Sequence, residues 1–108
     1  MKRGELYRVF KPGGDTKQFR TFVVVSRQTL IDSKFPSLVC AAVMTAGQGL
    51  ATQVTIGIEE GMKRECWIYC DDLRSIQKNM LTQWVGSLSP AKMRKLDYAL
   101  TVALDLPI

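Results

Sequence analysis

Four consecutive strand-forming apolar residues, Phe22-Val23-Val24-Val25, constrain the fold more than any other feature of this chain. Side chains along a strand alternate between faces, so the run presents bulky hydrocarbon on both sides at once. A chain of 108 residues can hide both sides only by placing that strand in the middle of a sheet with cover above and below. The same segment opens with Phe19-Arg20-Thr21, which puts a permanent cation at the start of a buried element.

The remaining pattern supplies neighbours for that strand. Leu6 to Phe10 reads as a first strand, stopped by Lys11-Pro12-Gly13-Gly14, because proline lacks a ladder donor and paired glycines favour a turn. The second strand runs from Phe19 to Arg27. A loop through Ile31 to Pro36 leads to a third, Leu38 to Met44, followed by Gln53 to Ile58 and Cys66 to Tyr69, with the turn-like Glu59-Glu60-Gly61 between the last two. Alternation turns Cys66, Ile68 and Cys70 toward the core and Trp67, Tyr69 and Asp71 away from it. A helical turn is expected around Lys78 to Leu81.

The final segment is a helix. Ser89 suits the N-cap, Pro90 the first helical position, and Leu88 can staple against the first turn. Met93, Leu96, Leu100, Ala103 and Leu104 form one apolar stripe, and Lys92, Lys95 and Thr101 lie off it. Without repeats, linkers or low-complexity stretches, residues 1–108 read as one domain, mainly β with α: a five- or six-stranded, strongly curved sheet covered by helix.

Composition narrows the chemistry. The chain has no histidine, which removes the imidazole acid–base that small hydrolases commonly use. No apolar run approaches the ~20 residues that cross a bilayer, so a cytoplasmic protein without membrane contact is expected. Cys40, Cys66 and Cys70 are an odd number in apolar settings, with no histidine to complete a site, and read as structural thiols rather than metal ligands. Residues 1–34 carry eight basic groups against three acidic ones, while the rest of the chain is balanced, so the whole net charge of +5 arises in the first third. A surface built from the early strands would attract a polyanion.

Met1-Lys2-Arg3-Gly4-Glu5-Leu6-Tyr7, the Arg20-led strand, Ala42-Val43-Met44-Thr45-Ala46-Gly47 and Leu73-Arg74-Ser75-Ile76, in that order and closed by one amphipathic helix, resemble the MazF/PemK (Kid) family of bacterial toxin ribonucleases. Two departures stand out. Thr21 occupies the place where that family usually has proline after the arginine, and the preceding loop is Gly13-Gly14-Asp15-Thr16-Lys17-Gln18. The resemblance implies an SH3-like curved β-barrel with short helices and a C-terminal helix. It also implies a sequence-specific, metal-independent endoribonuclease that needs no cofactor. As a toxin of this kind it would act as a homodimer, with an acidic antitoxin as its protein partner and DNA reached only through that antitoxin.

The chemistry asked of such a chain is modest. RNA carries its own nucleophile, the 2′-hydroxyl beside each phosphate, so the protein must position single-stranded RNA and stabilise charge on the phosphorane. Arg20 and Thr45 are the residues that the resemblance makes catalytic, the guanidinium and the hydroxyl both donating to one phosphate and leaving 2′,3′-cyclic phosphate and 5′-hydroxyl ends. Some members use an aspartate in a Cys-Asp pair, which Cys70-Asp71 matches, so Asp71 is a candidate base, although the arginine two places before it is here Tyr69. Thr16, Lys17, Gln18, Phe19, Tyr69 and Arg74 are candidate substrate contacts, by phosphate pairing, base-edge hydrogen bonds or stacking. Phe19 and Tyr69 are the aromatic residues expected at the surface, and Trp84 is expected inside. CcdB toxins share the barrel and helix but poison DNA gyrase by binding alone, and a nuclease-dead RNA-binding module is a further alternative.

Overall fold

The computed structural model describes residues 1–11 and 18–107. Among them six strands form one sheet: β1 (Glu5–Phe10), β2 (Phe19–Val24), β3 (Ser37–Met44), β4 (Gln53–Ile56), β5 (Cys66–Gln77) and β6 (Gln83–Ser87). A short helix, α1 (Gln28–Ile31), lies between β2 and β3, 3₁₀ turns occupy Ile58–Glu60 and Lys78–Met80, and α2 (Pro90–Ala103) closes the sequence of elements. The strand order is β4-β5-β3-β2-β1-β6, and every neighbouring pair is antiparallel. The curled antiparallel sheet with short helices is the mainly-β architecture that the strand pattern leads to.

The Phe22–Val25 run determines where β2 sits. Val23 stands between Leu6 of β1 and Ala41 of β3, and Phe22 between Tyr7 and Ala42. On one face Val23 joins Leu6, Ala41, Ile56, Ile68 and Leu96 in a core beneath α2. On the other, Phe22 and Val24 join Tyr7, Leu38, Cys40 and Leu81 in a second core. The three cysteines are divided between these cores, Cys40 in the second and Cys66 and Cys70 in the first.

Several boundaries differ from the sequence expectation. β2 ends at Val24 rather than Arg27, because Val25 and Ser26 both turn their N–H groups onto the Val39 carbonyl and the Ser26 hydroxyl accepts from Val39 N at 2.8 Å. β4 stops at Ile56, and a Glu60 carboxylate oxygen accepts from Gly57 N at 2.7 Å to start a 3₁₀ turn. β5 continues to Gln77 instead of ending at Tyr69. Its pairing partner shifts from Tyr69 opposite Ala42 to Leu73 opposite Ala41, so Cys70, Asp71 and Asp72 are absorbed in a bulge. The two acidic residues interrupt the alternation that defines a strand in sequence, and the bulge lets the strand pass through them. β6, with its single buried residue Gly86, has no apolar alternation to mark it.

Two glycines draw the sheet closed. A Cβ at Gly86 would lie 2.0 Å from the Glu60 carbonyl oxygen, and one at Gly61, whose φ is +94°, would lie 2.3 Å from that of Val85. Edge strand β6 can therefore approach the β4–β5 connection backbone to backbone. The helix α2 begins as the sequence implies, with the Ser89 hydroxyl accepting from Lys92 N at 3.2 Å and Pro90 in the first turn. Leu96 and Ala99 are buried, but Leu104 falls at the helix end and is exposed. Arg3 pairs with Asp97 at 2.8 Å and ties the amino-terminal segment to the helix. Among the described residues no helix is long and apolar enough to cross a membrane.

Candidate active site

The antiparallel pairing of β2 with β3 sets Thr21 opposite Val43, which places the start of one strand beside the end of the other. Arg20 and Thr45 line the same cleft for that reason. Both are exposed, and both line one open cleft of about 370 Å³. Arg8 from β1 and Lys63 and Arg64 from the β4–β5 connection complete its cationic lining, with no carboxylate among the described residues that line it. Thr21 itself is almost wholly buried in the cleft wall.

Aromatic packing fixes one wall. The Arg8 guanidinium carbon lies 4.9 Å from the centre of the Phe19 ring, which meets Phe10 edge-on at 5.8 Å. Phe19 remains 44% exposed, enough to offer surface to a ligand. Phe19 and Arg20 also line a second cleft, of about 530 Å³, together with Gln18, Phe22, Arg74 and Ile76. Arg20 thus stands on the ridge between two clefts.

In the second cleft Arg74 donates from Nε and Nη2 to the two carboxylate oxygens of Asp72, at 3.0 and 3.1 Å. Those hydrogen bonds hold the Asp72 carboxyl below its usual range, against the opposing effect of partial burial, and the charges of Arg74 and Arg20 act in the same direction as the bonds. The Arg74 guanidinium also lies 5.8 Å from the Phe22 ring centre.

Asp71 accepts from the Thr52 hydroxyl at 2.6 Å, at the bulge, and is not among the residues lining the Arg20–Thr45 cleft. The carboxylate bonded to Arg74 is Asp72, one residue on, where the bulge has reset the register of β5. Tyr69 donates its hydroxyl to the Ala46 carbonyl, and Trp67 packs so closely on Gly47 that a Cβ there would meet its ring at 2.3 Å. Both aromatics brace the turn that carries Thr45. Trp84, expected inside, is 59% exposed on edge strand β6. Gln18 is exposed, and Thr16 and Lys17 lie outside the described residues.

The cysteines are not placed for chemistry. Burial pushes the Cys40 thiol up to about 12, and burial, reinforced by the charge of Asp71, pushes Cys70 up to about 11. Burial also raises Cys66, so all three remain protonated near neutrality. No group of three His, Cys, Asp or Glu residues that could hold a metal ion occurs among the described residues.

Arg8, Lys63, Arg64 and Asp72 are the site residues that sequence reasoning does not single out. Lys63 and Arg64 are flanked by Glu59, Glu60 and Glu65, so the segment carries no basic excess on paper. Folding separates the signs by burying Glu60 as the cap of its turn and leaving the two cations on the cleft.

Comparison with known proteins points one way. Residues 2–104 match a family model described as PemK-like, MazF-like toxin of type II toxin-antitoxin system. The chain is 25% identical over 96 residues to a probable endoribonuclease MazF2 of Mycobacterium tuberculosis, spanning 88% of this chain and 89% of that one. Among solved structures it resembles an endoribonuclease in complex with its cognate antitoxin from a mycobacterial species, with a TM-score of 0.83 at 23% identity over 100% of this chain and 98% of that one. It also resembles the Mycobacterium tuberculosis toxin MazF-mt6, with a TM-score of 0.83 at 20% identity over 96% and 99% of the two chains.

Proposed function

Because this chain belongs to the PemK-like, MazF-like toxin family of type II toxin–antitoxin systems, we propose that it is an endoribonuclease that cleaves single-stranded RNA at a phosphate held by Arg20 and Thr45. The observation that supports this reading is that those two exposed residues line one cleft together with Arg8, Lys63 and Arg64.

The reaction needs little else. The 2′-oxygen attacks the adjacent phosphorus, and negative charge grows on the non-bridging oxygens. Arg20 and the Thr45 hydroxyl donate to that charge, and the bond to the 5′-oxygen breaks to leave a 2′,3′-cyclic phosphate and a 5′-hydroxyl. The 2′-hydroxyl proton leaves and the 5′-oxygen gains one, so no external reactant is consumed. Asp71, held by Thr52, braces the bulge in this scheme rather than taking the proton. Loss of one preorganised donor to such charge typically costs about 2.7–4 kcal/mol, enough for a slow nuclease to rest mainly on electrostatics.

As a toxin the protein works in the cytoplasm as a homodimer, and an acidic antitoxin segment silences it by occupying the cationic cleft. A disordered acidic chain can cover such a surface even with low affinity per unit area. The test is incubation of the purified protein with single-stranded RNA in EDTA, with the fragment ends identified by mass spectrometry. Cleavage to cyclic phosphate ends is expected, reduced about 10²–10³-fold in Arg20→Ala with the fold intact. Intact RNA with the unaltered protein, or undiminished cleavage by the variant, refutes the reading.

A further inference from the structure

The second cleft raises the question of what Arg74 recognises. A lone arginine on an RNA-binding face is a natural phosphate anchor, but Arg74 is already joined by two parallel hydrogen bonds to Asp72. The pair is neutral as a unit, and a phosphate approaching Arg74 would also meet the Asp72 carboxylate. What the pairing leaves is direction. The bonds use the Nε and Nη2 side of the planar guanidinium, so its Nη1/Nη2 end still carries two parallel N–H groups, while the plane is held by Asp72 and rests over Phe22. The Arg74 side chain is 44% exposed.

A fixed, charge-compensated pair of donors suits a neutral ligand with two adjacent acceptors. Two base edges present such a pair, O6 and N7 of guanine and N3 and O2 of unpaired cytosine, and the guanine edge, which lies away from the ribose rather than beside the glycosidic bond, is the one open to an end-on guanidinium. Unpaired bases in single-stranded RNA expose that edge. The cleft of about 530 Å³ has room for a purine, and it sets the apolar side chains of Phe19, Phe22 and Ile76 beside the cations Lys11 and Arg20, which can hold the phosphates on either side of a lodged base. It shares Arg20 with the first cleft, so a base lodged there belongs to a nucleotide close to the phosphate that Arg20 holds.

We infer that Arg74, clamped by Asp72, reads a guanine beside the scissile phosphate, and that the second cleft is a base-recognition subsite rather than a stretch of backbone-tracking surface. This rests on the nuclease reading for the identity of the polymer. Arg74 is the specificity residue, and Asp72 is a positioning residue that acts through it.

The test separates recognition from cleavage. A random pool of 2′-fluoro RNA, which lacks the attacking hydroxyl, is selected for binding to the unaltered protein, Arg74→Lys and Asp72→Asn, and natural RNA is cleaved in parallel with its fragment ends sequenced. The unaltered protein should enrich guanine at one position, and the same guanine should flank the cut. Arg74→Lys keeps the charge but loses the fork, so the guanine preference should fall on the order of tenfold while other positions keep theirs. Asp72→Asn removes the compensating charge, so its guanine preference should weaken while its binding becomes more salt-dependent, an effect that loss of packing alone would not produce. Binding with no fixed guanine, a different base at that position, or an unchanged guanine preference in Arg74→Lys overturns the inference, and where natural RNA is still cleaved the nuclease reading stands. Guanine-selective binding without cleavage of natural RNA supports the subsite and refutes the nuclease. Failure to bind RNA at all refutes both.

Discussion

Asp71 and Asp72 are adjacent and chemically identical, yet they have opposite surroundings. The first accepts a hydroxyl from Thr52, and the second accepts two N–H groups from Arg74 beside Arg20. Two-residue alternation along β5 does not carry through them, since the bulge inserts residues that break the count. The difference is measurable through protonation. Arg74 lowers the Asp72 pKa in the folded state, so the stabilisation from this pair is complete above the ordinary carboxylate value and disappears only as pH falls through the lower, folded-state one. In an NMR titration the Asp72 carboxyl carbon should therefore have its midpoint below that of a free aspartate, about 3.9. In Arg74→Met the midpoint should return toward that value. A midpoint for the unaltered protein at or above 3.9 would mean that the pair does not persist in solution.

At the scale of elements, the strands that sequence reveals best are those buried on both faces. The Phe22–Val25 run needs two cores, and β2 sits between them. The α2 start is equally legible, because Ser89 and Pro90 act through hydrogen bonds and a fixed φ that depend only on the local chain. Strand β6 and the extension of β5 are illegible for the opposite reason. Their residues are held by partners distant in sequence, and their own pattern is polar or interrupted. Gly86 shows how such an element is retained: its lack of a side chain lets β6 touch the Glu60 carbonyl. Gly86→Ala would force a methyl group onto backbone that cannot yield, and overpacking of this kind typically costs about 1–3 kcal/mol. Urea denaturation should show that loss, with the largest rise in hydrogen exchange at Gly61 and Val85. A variant as stable as the original would mean that β6 and the turn are not in contact.

Across the whole molecule, charge is arranged by folding rather than by position along the chain. The first third supplies the net charge of +5, but the cleft draws Arg8 and Arg20 from it and Lys63 and Arg64 from a segment with more acidic groups than basic ones. If each of these four groups neutralises one phosphate, the logarithm of RNA affinity should fall with the logarithm of salt concentration with a slope of about −3, at about −0.7 per phosphate for single strands. Replacing Lys63 and Arg64 with glutamine should bring it to about −1.4, as read from fluorescence anisotropy between low and moderate salt. An unchanged slope would place the RNA elsewhere. The sequence alone determined the central strand, the capped helix and the presence of an arginine and a threonine at strand ends, because these follow from side-chain alternation, local hydrogen bonding and chain order. Only the tertiary structure decided which aspartate pairs with Arg74, which lysine and arginine join Arg20 on the cleft, and that Tyr69 and Trp67 brace the Thr45 turn. Those facts depend on strand register, on one bulge and on the burial of Glu60, none of which is a local property of the chain.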